Sequence, residues 1–433
     1  MNIPVVVFWM RRDLRLHDNC ALYNALQSGL SVLPVFIFDT QILSDLPEND
    51  SRVGFIYNNL QHINKELTKL NSALYITKSA PLQAFAELLQ TFNIKGVYTN
   101  SDYEPYAITR DNEVKDFLHK QGVYFNTYKD QVIFETNEIL KSDGKPYTVY
   151  TAYMNKWMEK FSPEMCNPYI YQLNKNRFYN ADFNFPGLKE LGFVKSNQKV
   201  PEYNLTSEFL TNYENTRNVL AFGGTNISTY LRFGLLSVRK MIYLGIQHNK
   251  VFLKELIWRE FFMQILYHFP EVITKSFKPQ YDKIIWINNF SDFDRWKNGE
   301  TGYPVVDAAM IELNTTGLMH NRARMITASF LCKHLLIDWR WGEAYFASKL
   351  LDFELSSNNG NWQWAAGTGC DAAPYFRIFN PLIQQQKFDP ENIYLRKWLD
   401  KNYLNRIITP VIDHKYARER ALTHYKKFLN QAS

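Results

Sequence analysis

Residues 5–19 read VVVFWMRRDLRLHDN, six apolar positions in a row and then three arginines within five residues. So short a run, unbroken by polar residues, fits a strand buried on both faces of a parallel sheet. Comparable runs recur at residues 32–38, 74–77, 97–100 and 123–128, with amphipathic stretches at 52–70, 80–92 and 106–120. Strand and helix in alternation predict an α/β domain, a doubly wound parallel sheet covered by helices on both faces. A sheet of this kind takes ligands beyond the carboxyl ends of its strands. No GxGxxG follows the first strand and no GxxxxGK[ST] occurs anywhere, so neither usual phosphate cradle is present. Arg11, Arg12 and Arg15 at that edge could hold a phosphate, or could tie the domain together through Asp13 and Asp18. In TNSDYEPYAITRD (residues 99–111), Asn100 and Glu104 offer polar groups at a second strand end, where a capped loop entering a helix is an equal reading.

Beyond residue 130 the periodicity weakens, and SDGKPY (142–147), SPEMCNP (162–168) and FNFPG (183–187) break the chain. The reading is an α/β domain over residues 1–130, a connector over 131–200 and an all-helical domain over 201–433. A chain of 433 residues with 46% hydrophobic and 21% charged residues has material for two cores and is not disordered. Eight of the ten tryptophans fall between Trp258 and Trp398, which marks the second half as the ligand-binding half. A net charge of +6 and a pI near 8.8 favour an anionic partner without demanding one. Four scattered cysteines without CxxC spacing suggest reduced thiols rather than a disulfide framework or a zinc site. A strand at the very start leaves no room for a leader peptide, and no apolar run reaches membrane-spanning length, so a cytoplasmic protein with no membrane partner is expected.

Four constellations stand in the second half. Gly223-Gly224-Thr225 followed by Ser228 could turn backbone N–H groups and hydroxyls toward a diphosphate, or simply cap a helix. Glu255, Trp258, Arg259 and Phe262 fall at i, i+3, i+4 and i+7, one helical face with unusual chemistry for a core. Arg322 and Arg324 point about 200° apart on a helix, so one faces inward and needs a carboxylate, for which Asp352 and Glu354 are candidates. Last comes DFELSSNNGNWQWAAGTGCDAAPYFRIFNP (352–381), where Trp362 and Trp364 sit two apart and serve different neighbours. Its small residues Ala365, Ala366, Gly367 and Gly369 permit close approach of another element or of a flat ligand. No Ser/His/Asp grouping and no HxxxH or HExxH spacing appears, so hydrolytic and metal chemistry have no visible machinery. An aromatic, amide-rich, partly basic pocket suits a large planar cofactor.

With FWMRRDLRLHDN (8–19), ELIWREFF (255–262), KNGETGYPVVDAAM (297–310), LMHNRARMITASFL (318–331) and NNGNWQWAAGTGCDAAPYFRIFNP (358–381) in this order, the chain resembles the photolyase/cryptochrome flavoproteins, and within them the class I cyclobutane pyrimidine dimer photolyases. The resemblance implies an N-terminal antenna domain and a C-terminal all-α domain holding a U-shaped FAD that works in its reduced form. It assigns flavin contacts to Tyr213, Thr225, Ser228, Phe252, Asp352 and Glu354, with Arg324 pairing Asp352 and Asn358 facing flavin N5. It implies an electron relay through Trp362, Trp339 and Trp286, and a lesion site of Glu255, Trp258, Arg259, Asn321, Met325 and Trp364, with Arg322 and Gln384 near DNA. The partner implied is ultraviolet-damaged DNA carrying pyrimidine dimers, repaired under blue light by a monomer.

Between Arg217 and Ser228 the chain is one residue shorter than the family pattern and lacks its proline, and residues 271–284 match no folate-binding segment. The antenna chromophore therefore stays open among a folate such as methenyltetrahydrofolate, a deazaflavin, a second flavin and none, with Asn100 and Glu104 as candidate contacts. A (6-4) photolyase carries histidines where Asn321 and Met325 stand. A signalling cryptochrome has no need of the dimer-binding set, and a plain FAD electron-transfer protein explains neither the Trp pair nor Arg322.

Overall fold

The computed structural model describes residues 3–222, 224–401, 403 and 409–430, and the chain divides into two compact units. The first comprises Met1–Glu138, Lys160–Val200 and Ser228–Leu244; the second comprises Ile139–Glu159, Pro201–Ile227 and Gly245–Ser433. Residues 131–200, read as a connector, are thus shared out between the two. Tyr179 N donates to Val32 O at 2.8 Å and binds the later part to the sheet, while Tyr153 and Trp157 both donate to Glu260 in the second unit.

In the first unit, β1 (Pro4–Met10), β2 (Ser31–Asp39), β3 (Tyr75–Ser79), β4 (Asn93–Asn100) and β5 (Tyr124–Tyr128) pair in parallel in the order β3-β2-β1-β4-β5. Alternation of side chains along β1 feeds two cores at once. Val5, Val7 and Trp9 pack with residues of helices Pro81–Thr91 and Pro105–Lys120. Val6, Phe8 and Met10 pack with residues of helices Cys20–Gln27 and Ser51–Thr68. A strand with both faces covered must be apolar throughout, which is why no alternation shows in its sequence. The helix Cys20–Gln27, hidden behind the arginine cluster and only eight residues long, had no counterpart among the expected helices.

At the carboxyl edge of β1 the arginines are spent on carboxylates far away in sequence. Arg11 binds Asp111 and the Asn100 carbonyl, Arg12 donates to Glu104 at 2.8 Å and Asp102 at 3.1 Å, and Arg15 grips Asp130 at 2.6 Å. Asp130 also takes Arg239 at 2.8 Å, and the two guanidiniums hold its carboxyl below the ordinary range against the opposing effect of burial. Of the two partners expected from the sequence, Asp13 is bound by amides and Asp18 by Arg239. The cluster ties the unit together, the second of the two readings.

The second unit contains helices and no strand among the described residues. Its main core gathers Pro304–Thr316, Asn321–Ser329, Trp339–Lys349 and Leu355–Ala366. Two glycines allow the close packing that builds the site. A Cβ at Gly360 would collide with the Phe262 ring, and one at Gly342 with the Trp362 ring. Helix Leu355–Ala366 can therefore press against both Lys250–His268 and Trp339–Lys349. It ends at Gly367, whose φ of +89° is left-handed backbone that favours glycine. Part of the amide content of the stretch is structural: Asn359 and Gln363 each donate to Val272 O at 3.0 Å.

Candidate active site

Between helices Lys250–His268, Asn321–Ser329 and Leu355–Ala366 of the helical unit lies a cavity of 340 Å³. Part of its lining is fixed carboxylates. Arg324 donates to both oxygens of Asp352, at 2.8 and 3.1 Å, and to Met319 O at 2.8 Å. Asp352 was the expected partner, and with a side chain only 4% exposed it needs one. Arg259, assigned by resemblance to the lesion, lies with its Nε 3.6 Å from Glu354, which also accepts from Ser357 at 3.1 Å. Asn358 lines the same wall, and its amide nitrogen donates to the Glu343 carboxyl at 2.7 Å and the Glu343 carbonyl at 3.1 Å. The nitrogen being committed, the amide oxygen is the end left for the cavity. Burial pushes the Glu343 carboxyl up, partly offset by the Asn358 bond.

Another part of the lining is aromatic. Trp258, Asn321, Met325 and Trp364 line it, and Glu255 faces it in an ion pair with Arg217 at 2.6 Å. Trp258 is covered on one side by Tyr150, ring centroids 3.6 Å apart and planes 8° from parallel. Trp362 is 2% exposed, closes the inner wall, and meets Phe346 and Trp296 edge-on at 4.9 and 6.1 Å. Trp364 is half-buried, so the two indoles separate as their spacing implied, one in the core and one at the cavity.

Eleven of the residues singled out from the sequence thus meet on one cavity: Glu255, Trp258, Arg259, Asn321, Arg324, Met325, Asp352, Glu354, Asn358, Trp362 and Trp364. Phe262 and Ala365 line it as well, and the other residues assigned by the resemblance lie away from its lining. Tyr213 and Phe252 contact each other edge-on at 5.3 Å, and Thr225 is buried. Ser228 opens a short helix assigned to the first unit, and Gly223 is outside the described residues. Arg322 donates to Asn218 at 2.6 Å and lies over the Phe388 ring, while Gln384 is half-buried on helix Pro381–Phe388. Trp339 is fully buried, and Trp286 is half-buried and edge-on to Tyr425 at 5.9 Å. In the first unit, Asn100 is spent on Asp13, Asn19 and Ala21 N, and Glu104 on Arg12 and Arg232.

Arg217, Glu343 and Tyr150 were not found by sequence reasoning. Only Glu343 left a trace there, one turn after Trp339 and so on its face of the helix.

The donor set suits a flavin: a buried carboxylate already paired to a guanidinium, an amide oxygen in the same lining, and the apolar Ala328, Ala365 and Leu350 beside them. Among the described residues no cluster of His, Cys, Asp and Glu could hold a metal ion, and no helix is long and apolar enough to cross a membrane.

Two family models match the chain, the DNA photolyase model over residues 6–169 and the FAD binding domain of DNA photolyase over residues 252–406. A deoxyribodipyrimidine photo-lyase of Vibrio cholerae is 34% identical over 96% of this chain and 98% of its own length. Among solved structures, a bacterial class III photolyase from Agrobacterium tumefaciens superposes with a TM-score of 0.85 at 30% identity, over 99% of this chain and 98% of that one. A cryptochrome of Synechocystis sp. PCC6803 superposes with a TM-score of 0.82 at 25% identity, over 98% of this chain and 99% of that one.

Proposed function

Since the chain belongs to the DNA photolyase family and carries that family's FAD-binding domain, we propose that it repairs cyclobutane pyrimidine dimers in DNA by light-driven electron transfer, in the manner of the class I enzymes. The observation that carries this reading is the mixed lining of one cavity. Its polar groups, Asp352 with Arg324 and Asn358 with Glu343, suit a flavin ring; Trp258 and Trp364 with Asn321, Met325 and Glu255 suit an everted dimer. The absence of histidine at positions 321 and 325 favours a cyclobutane dimer over a (6-4) product.

When bound, FAD supplies a light-excitable electron donor. The residues supply the rest. Arg324 fixes Asp352, so that a carboxylate acceptor is held in place before any ligand arrives. Asn358 presents an amide oxygen whose direction is set by Glu343. Trp258 and Trp364 offer faces on which a base can stack, worth roughly 1–3 kcal/mol per base. That offsets the few kcal/mol of unstacking, which is least for damaged DNA. Glu255 can accept a hydrogen bond from a pyrimidine edge, and Arg217 balances its charge. Apolar walls exclude water from the reacting pair.

The test is direct. Protein loaded with FAD and reduced by light is mixed with an oligonucleotide containing one thymine dimer and exposed to blue or near-ultraviolet light. Restoration of thymine absorbance, absent in the dark, is the expected result. Light-dependent reduction of the flavin with the dimer left intact would replace this reading by a signalling one.

A further inference from the structure

We propose that Tyr150 is a positioning residue for the lesion-binding part of the cavity lining, holding Trp258 in the one orientation from which its indole stacks on an everted dimer; this rests on the reading of that part as the lesion pocket. Three contacts carry it. The Tyr150 ring lies flat on the indole, centroids 3.6 Å apart and planes 8° from parallel, much closer than the contacts Trp258 makes with Phe262 at 5.3 Å and Phe261 at 5.6 Å. The phenol hydroxyl donates to Lys254 O at 2.8 Å, one turn before Trp258 on the same helix. That is the turn over which a helical side chain lies, so the bond sets the ring where Trp258 passes. The Tyr150 backbone N–H donates to Asp371 at 3.1 Å, in the loop just beyond helix Leu355–Ala366. Tyr150 is therefore tied both to helix Lys250–His268 and to the loop that follows helix Leu355–Ala366, and at 7% exposure its ring is itself immobilised by packing, edge-on against Phe261.

The physical effect is pre-organisation. An indole at a half-open wall has several rotamers, and choosing one upon binding costs conformational entropy. A flat partner on one face removes that choice and leaves the opposite face for the ligand. Burial raises the phenol pKa, with Glu255 adding to the effect, so the hydroxyl stays protonated and keeps donating throughout the physiological range.

The test compares Trp258→Ala, Tyr150→Phe, Tyr150→Leu and the double variant Tyr150→Leu/Trp258→Ala, all loaded with FAD. Binding in the dark to the same oligonucleotide with and without one thymine dimer is followed by fluorescence anisotropy. Tyr150→Phe keeps the flat face but loses the bond to Lys254 O, so on the dimer strand it should fall between the parent and Tyr150→Leu, with the undamaged strand bound as by the parent. Tyr150→Leu should lose roughly three- to tenfold in affinity for the dimer strand only. In the Trp258→Ala background, Tyr150→Leu should cost nothing further. FAD content and affinity for the undamaged strand report whether the fold is kept, and Tyr150→Met serves as a second variant without a flat face if Leu does not fold. If Trp258→Ala abolishes discrimination but Tyr150→Leu and Tyr150→Met bind as the parent, or cost as much without Trp258, the proposal is overturned and the lesion pocket stands. If Trp258→Ala leaves discrimination intact, the lesion pocket itself is misplaced.

Discussion

Asn358 donates its amide hydrogens to Glu343 twice, at 2.7 Å to the carboxyl and 3.1 Å to the backbone carbonyl. The carboxyl that orients Asn358 is held above the ordinary glutamate range by burial, with the Asn358 bond pulling the other way. Its proton is thus bound more tightly in the folded state than in the unfolded one. Stability from this group is complete below the unfolded pKa and is lost as pH rises through the folded pKa. Glutamine keeps the acceptor oxygen and has no proton to lose. Glu343→Gln should match the parent in urea melts below about pH 4 and exceed it by a margin that opens as the pH rises past the ordinary glutamate range and levels off once the folded carboxyl ionises. A constant margin would mean that Glu343 does not titrate differently on folding.

Lys333 makes the opposite case. It sits 1% exposed in a π-helical turn, with Nζ donating to Ala366 O at 2.7 Å and lying 3.9 Å from the Tyr425 ring centre. Burial pushes its pKa down to about 7. The unfolded chain then holds a proton that the folded one lacks between about pH 7 and the ordinary lysine value. The stability tied to this group is full above the unfolded pKa and is lost as pH falls through the folded one. Parent stability should gain, relative to Lys333→Met, by up to about 1.4 kcal/mol per pH unit between pH 7 and 9. Parallel melting curves for the two proteins across that interval would refute it.

How far the sequence could be read depended on the range of the contact involved. β1 was legible because burial on both faces leaves its mark in neighbouring residues, Val5 to Met10. The need of an inward arginine for a carboxylate left Arg322 or Arg324 and Asp352 or Glu354 open, and only the family resemblance matched Arg324 to Asp352. The arginines after β1 could not be matched, since Asp111 and Asp130 lie about a hundred residues away and nothing local points to them. Tyr150 and Arg217 belong to the same class: each contributes to the cavity's surroundings through one tertiary contact, with Trp258 and Glu255 respectively, and neither carries a pattern of its own. The division of labour between Trp362 and Trp364 followed from helical geometry, but only the packing of Gly342 and Phe346 against Trp362 says which one is enclosed.

Arg217 and Glu255 approach to 2.6 Å with side chains 20% and 33% exposed. A pair so open to water contributes under about 1 kcal/mol to stability. Its weight is expected in binding, because a phosphate can compete for the guanidinium. Arg217→Gln should leave the urea midpoint nearly unchanged and weaken binding to damaged and undamaged oligonucleotides alike. The slope of log affinity against log salt should fall by about 1. A loss confined to the dimer strand, with the salt slope intact, would instead make Arg217 a residue of recognition acting through Glu255.

The relay inferred through Trp362, Trp339 and Trp286 makes the most specific demand. Trp362 lines the cavity at 2% exposure, Trp339 is fully buried with an indole N–H that finds no partner among the described residues, and Trp286 is half-buried beside Tyr425. With no acceptor for its proton, an oxidised Trp339 would keep its positive charge and could pass it on without proton transfer. A more exposed Trp286 is better placed for reduction by an external thiol. Trp286→Phe should therefore slow light-driven flavin reduction at least tenfold while leaving dimer repair by chemically reduced protein unchanged. Trp362→Phe should nearly abolish the light-driven reduction. The measurement is the decay of oxidised-flavin absorbance under blue light with dithiothreitol, set beside repair after dithionite reduction. Normal photoreduction in Trp286→Phe would send the electron path elsewhere. The alternative to replace next is Trp296, edge-on to Trp362 at 6.1 Å and stacked on Phe293, which also meets the half-buried Trp341 at 5.2 Å.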